Sequence, residues 1–179
     1  MGYTTDFSGS FQLSRRLTKK ERDYLETFSN TRRMARNPQR LMELYKGKHG
    51  NPHPDDETPE GIYGPKGEYF AKDDGILGQN DDDSVLDHNS SDGSMPGLWC
   101  QWVPAGDSDE IEWDNGEKFY NYVEWIKWLI EHFFSQWKIK LNGTVNWYGE
   151  DREDTGRIII KNNVVRTQSI VITYKDNEE

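Results

Sequence analysis

A chain of 179 residues has room for one domain with a real core and is short for two, and its 13% aromatic content argues for a folded body with long polar loops. No apolar run approaches the roughly 20 residues that span a bilayer, the opening MGYTTDFSGS lacks the regions of a signal peptide, and one cysteine excludes an internal disulfide and a cysteine-rich zinc site. These features lead to the expectation of a cytoplasmic protein, and the net charge of -10 disfavours direct polynucleotide binding.

Taken in chain order, TTDFSGSFQL alternates Phe7, Gly9, Phe11 and Leu13 with polar residues and reads as an opening strand. Thr18 and Glu21 have capping-box spacing and predict a helix from Thr18 to about Ala35, stopped by Asn37-Pro38. Residues 46–96 are dense in Gly, Pro, Asp, Asn and Ser and read as a long polar and acidic loop draped over the core, with at most a hairpin at residues 64–67. From residue 97 the pattern is firmer. GLWCQWV alternates as a strand, with Leu98, Cys100 and Trp102 inward and Trp99, Gln101 and Val103 outward, and residues 109–113 form a second. A helix is expected from Lys118 to Trp137, then strands at 143–148, 157–161 and 164–174, the last two joined through Asn162-Asn163. The expected fold is therefore a single α+β domain, residues 1–179. It has a mostly antiparallel sheet, two packed helices and a long acidic loop region, in segments 1–45, 46–96 and 97–179.

The second helix has two aromatic faces. Phe119, Tyr122, Val123, Ile126, Leu129, Ile130, Phe133, Phe134 and Trp137 share its core side, while Asn121, Trp125, Trp128 and His132 recur together on the other. Either the acidic loop buries these indoles, or they form a binding surface for a protein partner or a second copy of the chain. Charge is also segregated: residues 1–50 carry a net +6 and residues 51–115 a net -15. Such segments either attract each other or face separate partners.

No motif fixes a reaction. Arg32, Arg33, Arg36 and Arg40 cluster at the expected end of the first helix, where they either meet exposed carbonyls or clamp a phosphate or carboxylate. With Trp99 and Gln101, the residues Arg32, Arg33 and Arg36 make a candidate site for a nucleotide-like ligand held by stacking and charge. Cys100 reads as a packed structural thiol. Asp81-Asp82-Asp83 lacks the glycine and closing glutamate of a calcium loop, and His49 and His53 imply no third ligand, so neither a metal nor a cofactor is expected. Glu110, Glu112, Glu117, Glu150 and Asp151 could serve hydrolysis only if folding pairs them.

The segments GYTTDFSGSFQL, TRRM, PGLWCQWVP, EWDNGEKFYNYVEWIKWLI and LNGTVNWYGEDREDTGRI resemble a family of small proteins of bacteria and their phages that has no assigned reaction, ligand or catalytic residue. The resemblance implies a protein that works by binding, as an accessory or counter-defence factor in the host cytoplasm, and it transfers no site residue. The leading expectation is a non-catalytic interaction protein using the face of Trp125 and Trp128. A nucleotide-like ligand binder or sponge is the alternative, and a small hydrolase or transferase the third reading.

Overall fold

The computed structural model describes residues 2–51, 57–72, 81–91, 93–106 and 109–175. Its organising element is the strand Leu141–Gly149, in which Leu141, Val145 and Trp147 turn inward and Thr144 and Tyr148 outward, the period-2 pattern of a half-buried strand. In chain order the strands are β1 Thr5–Ser8, β2 Phe11–Leu13, β3 Ala35–Arg36, β4 Val85–Asp87, β5 Trp102–Pro104, β6 Glu110–Trp113, β7 Leu141–Gly149, β8 Thr155–Lys161 and β9 Val164–Ser169. The main sheet runs β5-β6-β2-β7-β8-β9, every pair antiparallel, with β1 on β7 just beyond β2; β3 and β4 form a separate ribbon. Gly9 makes the step from β1 to β2 possible. It sits at φ 102°, and a Cβ there would lie 2.6 Å from the Thr144 carbonyl oxygen. Asn162 and Asn163 take φ 49° and 69° in the β8–β9 hairpin, as their pairing predicts.

Four helices are present among the described residues, where two were expected. Thr18 and Glu21 do form the capping box of α1, Lys19–Ser29. The helix ends before Ala35 because the next residues find long-range partners: Arg33 N donates to Leu98 O, and Ala35 N to Ser90 O. Asn37-Pro38 starts a helix here. Asn37 caps α2, Pro38–Tyr45, by accepting from Arg40 N, and Pro38 takes the first turn, where its missing N–H costs nothing. The polar region holds α3, Pro59–Tyr63, and Gly64–Gly67 is a tight turn with no hairpin. Tyr63 and Phe70 close with Leu41 into a small second core, so this segment is more than drape.

The last helix, α4, spans Tyr122–Leu129 and widens into a π-helical turn, Ile130–Phe134. It begins later than Lys118 because Lys118 and Asn121 both adopt left-handed backbone, φ 61° and 55°. It lies in the main core, where Phe11, Trp102, Leu141, Val145 and Ile158 from the sheet meet Phe28 of α1 and Trp125, Ile126 and Phe133. GLWCQWV enters the sheet only at Trp102. Its earlier residues leave their carbonyls to other segments, Leu98 O to Arg33 N and Gln101 O to Asp114 N.

Candidate functional site

Trp125 and Trp128 are not surface residues. They are 0% and 6% exposed, so α4 is apolar on nearly all sides and buried accordingly. Phe28 of α1 stacks on Trp128 at 5.6 Å and meets Trp125 edge-on at 6.3 Å, while Trp128 Nε1 donates to Ser94 O at 2.8 Å. The cover is thus α1 together with the approach to GLWCQWV. His132 lies half-buried, stacked on Trp128 at 4.1 Å. Of the expected partner face only Asn121 is exposed, and its Nδ2 donates to Pro96 O at 2.6 Å. Large apolar side chains that are exposed lie elsewhere, chiefly Val164, Ile170, Val171 and Tyr174 along and beyond β9.

The arginine clamp is divided. Arg33 and Arg36 are 2% and 3% exposed, their guanidinium carbons 4.0 Å from the Phe28 ring and 4.6 Å from the Phe70 ring. Arg33 donates to the carbonyls of Thr31 and Glu68, and burial draws its pKa down to about 9, still cationic at neutral pH. Arg36 pairs with Asp82 at 3.1 Å and donates to Ser84. Both cations are used inside the fold. Arg32 differs: it is half-buried, its Nε donates to His88 O, and its guanidinium carbon stands 5.9 Å from the Trp99 ring, near the outer limit of a cation–π contact.

Trp99 opens onto a groove of about 590 Å³, within the ~300–1,000 Å³ range of ligand pockets. Three segments bound it: Asn89–Ser91 after β4, residues 97–101 before β5, and residues 117–121 before α4, where Lys118 and Asn121 take left-handed backbone. Leu98, Trp99 and Tyr120 supply apolar surface, the serines and Asn121 polar points, and Lys118 and Glu117 opposite charges. Gln101 also lines it, but its amide is committed to the protein: Nε2 donates to Glu117 O and Oε1 accepts from Trp113 Nε1. Gln101 therefore holds the 113–117 turn as a wall. The structure joins Trp99, Gln101 and Asn121 around one space; Arg32 approaches the Trp99 ring without lining the groove, and Arg33 and Arg36 lie outside it. Sequence reasoning missed Ser90, Ser91, Lys118 and Tyr120, which no local spacing connects to Trp99, and gave Gly97 no role.

The other candidate chemistries are dispersed. Cys100 is buried, and that burial pushes its thiol up to about 12, far from a thiolate at neutral pH. Glu110 accepts from Ser10 at the edge of β6, Glu150 from the Thr4 amide past β7, and Glu117 stands at the groove. Asp82 is held by Arg36, Tyr45 and Ser84. His53 lies outside the described residues, and among those described no group of three or more His, Cys, Asp or Glu side chains is placed to hold a metal. No helix is long and apolar enough to cross a membrane among the described residues. Comparison with family models, curated proteins and solved structures finds no match for this chain.

Proposed function

We propose that the protein acts by binding, and that its groove takes a small planar anion of the nucleotide kind. The supporting observation is Trp99, an indole that lines the groove and has the Arg32 guanidinium carbon 5.9 Å from its ring. The indole offers a stacking face, and Arg32 uses only Nε within the protein among the described residues, leaving its terminal nitrogens for a phosphate. Lys118 is the cation that lines the groove among the described residues. The walls are otherwise largely apolar, suited to a ring more than to an extended sugar. The buried thiol and the scattered carboxylates favour retention of a ligand over its chemical conversion.

Calorimetry with AMP, GMP, adenosine and ribose 5-phosphate tests the reading. Heat is expected with the nucleotides and less with either fragment. Trp99→Ala should weaken binding by about 1–3 kcal/mol, the usual worth of base stacking on an aromatic side chain. Absence of heat with all four compounds would overturn the proposal.

A further inference from the structure

The charges at the groove are few and opposed. Glu117 and Lys118 are its charged lining residues among those described, and both are exposed. Lys118 is set in place: its backbone is left-handed at φ 61°, and its stem runs so close to Gly2 that a Cβ there would overlap Lys118 Cδ and Cε. Its neighbour Glu117 is fixed through the backbone, where its carbonyl accepts from Gln101 Nε2 at 2.9 Å. Behind the wall formed by Asn89–Ser91, Asp87 accepts from Ser90 Oγ at 2.6 Å and from the Asn89 amide at 2.8 Å, and these hydrogen bonds hold its carboxyl pKa below the ordinary value. Arg32 lies off the lining, with its guanidinium carbon 5.9 Å from the Trp99 ring. The cations Lys118 and Arg32 are thus matched by the anions Glu117 and Asp87.

Resting on the groove being the binding site, we propose that it takes a ligand with a single phosphate group, a nucleoside monophosphate, and that Glu117 turns away di- and triphosphates. A phosphomonoester carries about −1.5 to −2 charges at neutral pH, which Lys118 meets at the lining with Arg32 beside Trp99. Every added phosphate brings another negative charge into a groove whose lining anion is Glu117 and which has no further lining cation among the described residues. Repulsion therefore grows with each one. Glu117 is a specificity-determining residue, Lys118 the residue that meets the phosphate, and Trp99 the stacking face for the ring.

The test titrates wild type, Glu117→Gln and Lys118→Gln with adenosine, AMP, ADP and ATP by calorimetry, at low ionic strength and without divalent cations. Both positions are exposed, so the fold should persist, as checked by far-UV circular dichroism. Wild type should bind AMP most tightly and lose about two- to fivefold in affinity with each added phosphate, the effect of one exposed charge pair. Glu117→Gln should tighten ADP and ATP by a similar factor, leave adenosine unchanged and so reduce the preference for AMP. Lys118→Gln should bring AMP down toward adenosine. ATP at least as tight as AMP in wild type, an unaltered AMP-to-ATP ratio in Glu117→Gln, or unaltered AMP binding in Lys118→Gln overturns this inference and leaves the groove reading standing. Failure of wild type to bind any of the four compounds overturns both.

Discussion

An indole at position 128 makes two contacts that a helical wheel does not reveal, with Phe28 and with Ser94 O, besides the one to His132 that it does. It stacks between Phe28 and His132, and its N–H reaches Ser94 O, tying α4 to the segment that leads into Gly97. Trp128→Ala removes this packing and the hydrogen bond to Ser94 O. We expect a loss of about 3–5 kcal/mol, the usual cost of truncating a buried tryptophan, read as a lower midpoint in urea denaturation; a change within 0.5 kcal/mol, as for an ordinary surface site, would contradict the burial. The same distinction governs the arginines. Arg32, Arg33 and Arg36 look alike in TRRMAR, yet two lie over aromatic rings in the core and one stands beside the groove. Side-chain type was legible in the sequence, but the partner ring that decides each role, Trp99 for Arg32, Phe28 of α1 for Arg33 and Phe70 for Arg36, is chosen by the fold.

Elements whose determinants are local were read well. Thr18 and Glu21 signal α1 through contacts three residues apart, and Asn162-Asn163 signals its hairpin through backbone conformation alone. Misreadings arose where one residue pair serves two purposes. Asn37-Pro38 forbids continuation of a preceding helix and equally favours the start of a following one, and Asn37 Oδ1 accepting from Arg40 N shows which use prevails. Asn37→Ala should cost about 1 kcal/mol, a typical N-cap loss, and lower the melting temperature by about 2–4 °C for a domain of this size. Asn37→Asp should keep most of that stability, and equal losses for both substitutions would show that the cap is not the cause. Of the groove's lining, Trp99, Gln101 and Asn121 had been singled out in the sequence, although residues 97–101 precede the strand they were assigned to. Its other walls depend on left-handed turns at Lys118 and Asn121 and on the path after β4, which hydrophobic period does not encode.

At the scale of the whole molecule, the segregated charge is partly answered within the fold. The basic first segment meets the acidic second one where Arg36 of β3 pairs with Asp82, just before β4, and where Tyr45 at the end of α2 donates to the same carboxylate. Burial alone would raise the Asp82 pKa, but hydrogen bonds from Ser84 and Tyr45 and the Arg36 charge outweigh it, and the net shift is below the ordinary value of 3.8. A carboxylate with a depressed folded-state pKa stabilises the native state above its unfolded-state value, and that contribution fades as pH falls through the folded-state value. Stability should therefore be level with respect to Asp82 near neutrality and decline below about pH 4. Asp82→Asn should be less stable than wild type at pH 7, and the difference should narrow as pH drops from 4 to 2, followed by urea midpoints in far-UV circular dichroism. Were the gap constant across that range, the ionised carboxylate would not be what joins the basic and acidic segments, and their attachment would rest on the apolar cluster of Leu41, Tyr63 and Phe70.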